Sequence, residues 1–268
     1  MSGGLVVDNV GVRFGGLVAL ESVSFDVPEA TVTGVIGPNG AGKTTLFNVI
    51  SGFIKPTNGS LTWEGKAFSP KPNHLVRDGV ARTLQGVGLF PLLTAVENVM
   101  LGATIRRKAG FGSALLGLPR SDRDEAALRK EAHEWLERLG ATDVAGRPAG
   151  TLAYPVQKRV ALARALISRP RLLMLDEPAG GLGAEDLGPL AELITTLPRE
   201  WDTPCSVVLV EHHMDLVMKV CDKVVVLDFG RCVATGTPAQ VQSDPAVAAA
   251  YLGEEPPEES ALTEESTS

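Results

Sequence analysis

The sequence predicts an α/β fold on a sheet with parallel strands, and three observations carry that expectation. Short apolar, β-branched runs (VTGVI, SLTWEG, RLLMLD, CSVVLV and DKVVVLD) recur with longer segments between them, which is the order of βα units. The first sixty or so residues differ: LVVDNVGVRF and VALESVSFDV alternate like antiparallel hairpin strands. About residues 86–168 change character again and read as mostly helical.

Composition agrees with a core-forming chain. Of 268 residues, 44% are apolar and 21% charged, which suits one large domain or two small ones. The net charge of -7 is uneven, because Glu254, Glu255, Glu258, Glu259, Glu264 and Glu265 crowd the end without a basic neighbour. Residues 254–268 therefore read as a solvated, disordered acidic tail. The body is left near neutrality, without the basic footprint that nucleic acid requires. Cys205, Cys221 and Cys232 have neither the spacing of a zinc site nor an even count for a disulfide framework, so a reducing cytosol is expected. The start MSGGLVVDNV lacks the basic and apolar regions of a signal peptide, and no apolar run approaches the roughly 18 to 20 residues of a membrane helix. Any membrane role is expected to come through a partner.

Within the helical segment, Ser121 followed by Asp124 resembles a capping box. Leu128, Ala132, Trp135, Leu136 and Leu139 then share one helical face until Gly140 stops the helix. That stripe is read as core packing. The glycine-rich connection RRKAGFGSALLGLPRSD ahead of it is read as solvent-facing.

Chemistry enters after VTGVI. Gly37, Pro38, Asn39, Gly40, Ala41, Gly42, Lys43, Thr44 and Thr45 match G-x-x-x-x-G-K-[ST], and a helical pattern follows. The glycines let the backbone curl so that its N–H groups point at phosphate, the helix N-terminus adds positive potential, and Lys43 reaches the β and γ oxygens. Thr44 is then a magnesium ligand. Downstream, RLLMLDEP is an apolar strand ending in two acids. Beside a phosphate loop, Asp176 would hold the metal through water, and Glu177 would polarise the water that attacks the γ-phosphate. The strand CSVVLV ends in Glu211, His212 and His213, and spacing does not choose which imidazole would sense the phosphate. Gln85, where ARTLQ passes from sheet-like to helical sequence, is placed near magnesium or the attacking water. Phe14 reads equally as a core aromatic or an adenine-stacking one.

These motifs, in this order and at these separations from about residue 5 to residue 253, resemble the ATP-binding cassette of an ABC transporter. The resemblance implies a P-loop NTPase with a RecA-like core sheet, an N-terminal antiparallel β subdomain and a helical signature subdomain at about 86–168. It implies ATP and Mg2+ as cofactors and an ATPase coupled to transport. It maps VRFGG onto the adenine-stacking Phe14, ARTLQ onto the Q-loop Gln85, LLMLDEP onto Walker B Asp176 and catalytic Glu177, and VEHHMDLV onto the switch histidine His212. His213 stands where an aspartate is usual. The stretch ARTLQGVGLFPLLTAVENVMLG and the closing AYLGE are similar to cassettes of branched-chain amino acid importers. Permease subunits, an upstream solute-binding protein and a place at the cytoplasmic face of the cell membrane follow from that subgroup. A lipid or lipopolysaccharide exporter cassette and a non-transport ATP-binding regulator are the alternative readings.

One loop departs from the family. Where it expects Leu-Ser-Gly-Gly-Gln, this chain has Leu152, Ala153, Tyr154, Pro155 and Val156. Alanine lacks the serine hydroxyl and proline has no N–H, so two donors to a γ-phosphate are missing. One such donor is worth about 3 kcal/mol of transition-state stabilisation in other enzymes. Gly183 likewise stands where the family has aspartate or asparagine. In the family's head-to-tail pairs each signature loop caps the partner's nucleotide, so the departure implies an asymmetric heterodimer with a second ATPase subunit.

Overall fold

The computed structural model describes residues 4–83, 87–103, 119–200 and 204–252. Gln85, most of the glycine-rich connection and the acidic tail lie outside them. In chain order the elements are β1 (Leu5–Phe14), β2 (Leu17–Val27), β3 (Val32–Ile36), α1 (Lys43–Ile50), β4 (Asn58–Trp63), β5 (Lys66–Phe68) and β6 (Val80–Arg82). Then follow α2 (Ala95–Leu101), α3 (Pro119–Arg138), α4 (Tyr154–Leu166), β7 (Leu172–Asp176), α5 (Ala184–Glu200), β8 (Ser206–Val210), α6 (Met214–Val220), β9 (Lys223–Asp228), β10 (Arg231–Gly236), α7 (Pro238–Gln242) and α8 (Pro245–Leu252).

Two sheets form. The hairpin β1–β2 joins β4 and β5 in an antiparallel sheet of order β2-β1-β4-β5. The larger sheet runs β10-β9-β3-β8-β7-β6, parallel throughout except for β10. Strands β3, β7 and β8 are buried at every position, as their continuous apolar runs require in a sheet covered on both faces.

Period-two alternation divides those runs between two cores. Val35, Leu172, Met174, Val208 and Val210 pack with α1 and the antiparallel sheet. Ile36, Leu173, Leu175, Val207 and Leu209 face the opposite side, against α5 and α6. Because the parallel strands all end at one edge, the loops after β3, β7 and β8 gather there.

The helical segment holds α2, α3 and α4. Ala132, Trp135 and Leu136 are buried, with Leu128 and Leu139 packed against the same core, and Gly140 leaves α3 with a φ of 63°. The expected capping box is corrected: α3 begins at Pro119, so Ser121 lies inside the helix. Proline suits a first turn, where its missing N–H is not needed. A true capping box sits instead at Thr94 and Glu97, at the start of α2.

Candidate nucleotide site

The loop between β3 and α1 turns on glycines with positive φ, two of which are packed against backbone. Gly37 has a φ of 145°, and a Cβ on it would lie 2.0 Å from the carbonyl oxygen of Leu227. Gly42, with a φ of 100°, backs onto the Ala19 carbonyl in the same way. The turn after β9 braces the loop, since Gly230 N donates to Ala41 O at 3.0 Å and Glu21 N donates to Gly230 O at 2.7 Å. The first turn of α1 carries no acid, so its N-terminal potential is not offset from within the helix. The Lys43 ammonium is buried and curls over its own loop, donating to the carbonyls of Gly37 at 2.6 Å and Pro38 at 2.7 Å. Thr44 is exposed at the start of the helix.

Asp176 closes β7, two strands from β3. Arg82, a residue that sequence reading passed over, donates through Nη2 to its Oδ2 at 3.0 Å. Arg82 Nη1 donates to Asn48 Oδ1 at 2.8 Å and Ser51 Oγ at 2.7 Å, both on or beside α1. Its guanidinium lies 5.6 Å from the ring centre of Phe47 and 5.9 Å from that of Phe53. Its Nε is buried without a partner among the described residues. The signal available in the sequence was an arginine ending the short apolar stretch VAR beside a motif.

The next residue, Glu177, has a φ of 48°, and its amide donates to Val210 O at 2.9 Å. Its Oε1 lies 2.8 Å from Nε2 of His212. Glu211 is almost wholly buried and accepts from the amides of Ala179 at 2.6 Å, His212 at 3.0 Å and His213 at 3.3 Å. It also meets Nδ1 of His213 at 3.1 Å. The two adjacent histidines are thereby separated: His213 is held by Glu211, and His212 faces Glu177.

Phe14 ends β1 in the hairpin opposite Leu17 and is 50% exposed, which removes the core reading. At the departing loop, Ala153 occupies the N-cap of α4 without a side-chain bond to the helix, and Pro155 sits in the first turn. Val156 packs partly against the core. Lys158, one turn on, donates to the carbonyls of Glu177 at 2.7 Å and Pro178 at 3.2 Å. Burial pulls its pKa below the usual lysine value, against the upward pull of Glu211 and Glu177.

The family model described as ABC transporter matches residues 20–180, more than half of the chain. The chain belongs to the ABC transporter family. A model described as branched-chain amino acid ATP-binding cassette transporter matches residues 231–256. This cassette is 43% identical over 251 residues to BraF of Pseudomonas aeruginosa, a high-affinity branched-chain amino acid transport ATP-binding protein, covering 93% of this chain and 98% of that one. It is 40% identical to the corresponding LivG of Escherichia coli K12, with the same coverage. Among solved structures it is similar to a nucleotide-free ATP-binding cassette of an ABC transporter, with a TM-score of 0.78 and 30% identity over 95% of this chain and all of that one. A cassette in its ADP conformation gives a TM-score of 0.77, also at 30% identity, with 95% of this chain and all of that one covered. The cassette is an ATPase of the α/β class, with the antiparallel sheet and helical segment that the sequence led one to expect. Among the described residues, no helix is long and apolar enough to cross a membrane.

Proposed function

We propose that this cassette binds magnesium ATP on residues 37–45 and hydrolyses it to drive import of branched-chain amino acids or similar small polar solutes. The observation that carries the reading is the contact of Glu177 with His212, at the strand-end edge where the phosphate loop also lies. Loop amides, the α1 N-terminus and Lys43 hold the phosphates, with Lys43 leaving its own carbonyls to do so. Phe14 stacks on the adenine. Glu177 takes the proton of the attacking water, and His212 orients that carboxylate and meets the γ-phosphate.

The donors present suit magnesium. Thr44 offers an exposed hydroxyl, and Arg82 holds only Oδ2 of Asp176, which leaves Oδ1 for a metal-bound water. Bound magnesium supplies neutralisation of phosphate charge. Gln85 is assigned to the same metal and water by resemblance, and residues 254–268 to an acidic tail.

Cargo rests on the relatives, whose names specify branched-chain amino acid transport, and direction on the resemblance to importer cassettes. Permease subunits, a solute-binding protein and a place at the cytoplasmic membrane face follow from the same reading. The start of α4, with Ala153 uncapped and Pro155 lacking an N–H, supports an asymmetric pair. Its partner's signature would complete the ATP held here. The experiment is to purify the full chain from membranes with its associated subunits and measure magnesium-dependent ATP hydrolysis and branched-chain amino acid uptake in vesicles. Hydrolysis without stimulation by any such solute would remove the cargo assignment. Brisk hydrolysis by this chain alone as a homodimer would remove the asymmetry.

A further inference from the structure

We propose that Lys158 is a positioning residue for Glu177, an assignment that rests on the reading of Glu177 as the general base. The turn carrying Glu177 is strained, because a φ of 48° puts a residue with a Cβ in the left-handed region. Such a conformation persists only where its surroundings over-determine it. Before the turn, the Glu177 amide is tied to Val210 O at 2.9 Å. After it, the Ala179 amide is tied to Glu211 Oε1 at 2.6 Å. Between them the carbonyls of Glu177 and Pro178 both point to the Lys158 ammonium, at 2.7 and 3.2 Å. A cation and an anion therefore pin consecutive peptide groups from different elements, and the Glu177 side chain leaves the turn toward His212.

Lys158 is itself held in place. The Tyr154 ring, one helical turn earlier, lies with its centre 5.4 Å from the ammonium. That ring covers Gly181, where a Cβ would come within 3.0 Å of Tyr154 Cε1. The first turns of α4 are thus fastened to the loop after β7 by a ring contact and two charge-assisted hydrogen bonds. The tyrosine that replaces a family glycine joins this strut. Any displacement of α4 reaches the Glu177 backbone through one side chain.

The test uses the full chain in its membrane complex. Lys158→Met keeps the aliphatic stem beneath Tyr154 and removes the donors, whereas Lys158→Arg keeps a cation with donors. For Lys158→Met, kcat is expected to fall about ten- to a hundredfold, the scale of a roughly 1 Å misplacement of a catalytic group. KM, and the affinity for a fluorescent ATP analogue, should stay within about twofold, since the phosphate loop is untouched. Lys158→Arg should recover most of the lost kcat. A scaffold role alone would lower the melting temperature and spare kcat of the folded protein. Wild-type kcat in Lys158→Met beside an inactive Glu177→Gln control would overturn the proposal, as would a rise in KM that accounts for the whole loss. Should Glu177→Gln itself turn over normally, the general-base reading falls instead.

Discussion

Arg82 Nη2 and Asp176 Oδ2 lie 3.0 Å apart in a nearly dry environment, with side chains 9% and 2% exposed. The guanidinium on β6 pairs with the acid that ends β7 and hydrogen-bonds to Asn48 and Ser51 on or beside the phosphate-loop helix α1, so one arginine ties the three elements together. Removing the cation strands a buried carboxylate, which costs about 3–5 kcal/mol in comparable pairs. Arg82→Met should lower the unfolding free energy by that order in urea titration. Adding Asp176→Asn should restore part of it, because the charge left unpaired is gone. A loss below about 1 kcal/mol for Arg82→Met would show that the pair is not what joins the elements.

Lys43→Ala should abolish most nucleotide affinity. A charge-assisted hydrogen bond is worth about 1.5–3 kcal/mol, or a factor of roughly ten to over a hundred in the dissociation constant. Titration with a fluorescent ATP analogue measures it. An unchanged constant would remove phosphate binding from residues 37–45.

Glu177→Gln is expected to cut turnover by about 10²–10⁴-fold, the contribution of a general base, while ATP binding is retained. Glutamine keeps an oxygen that can still accept from His212, so the loss would be in proton transfer rather than in assembly. Single-turnover hydrolysis beside equilibrium ATP binding separates the two. Parallel loss of binding would point to a structural role for the carboxylate.

Gly37→Ala should prevent the loop from closing. Its Cβ would meet Leu227 O at 2.0 Å, and strand pairing fixes both Ile36 just before it and Leu227 itself. A drop in melting temperature with loss of ATP binding is expected, whereas Gly16→Ala, whose Cβ would meet nothing within 4 Å, should change neither. Equal melting curves for the two variants would contradict the packing described.

Burial pushes the thiols of Cys205 and Cys221 up to about 12. Their folded pKa values lie above the unfolded value, so the folded state binds protons more tightly between pH 9 and 12. Stability should fall as pH rises through that window, by about 1.4 kcal/mol per unit for each thiol. Replacing both by alanine should flatten that part of the profile. At pH 8, an aromatic disulfide reagent should label Cys232 quickly and the other two only after denaturation. Fast labelling of three thiols in the native protein would refute the burial.

The α/β class and the phosphate loop were legible because they are written locally. A continuous apolar run reports burial on both faces, and the spacing of Gly37, Gly42, Lys43 and Thr44 reports a curl of backbone followed by a helix. The stripe from Leu128 to Leu139 was legible for the same reason. Ser121 misled because a serine ahead of an acid is also compatible with helix interior when a proline upstream starts the helix first. Arg82 was not legible as a partner of Asp176, since 94 positions separate them and nothing local marks the pairing. Lys158 read only as part of a well-formed helix, because a donor to main-chain carbonyls leaves no trace in residue type.

The sequence by itself determined which chemical groups the molecule owns: the glycine loop and lysine for phosphate, two acids closing one strand and two histidines following another. The tertiary structure alone decided their pairing. It gave His213 to Glu211 and His212 to Glu177, placed Arg82 on Asp176, and set Lys158 under the Glu177 turn. Periodicity encodes which face of an element is buried, whereas a hydrogen bond or ion pair depends on distances of about 3 Å between atoms that come together only when the strands and helices have packed.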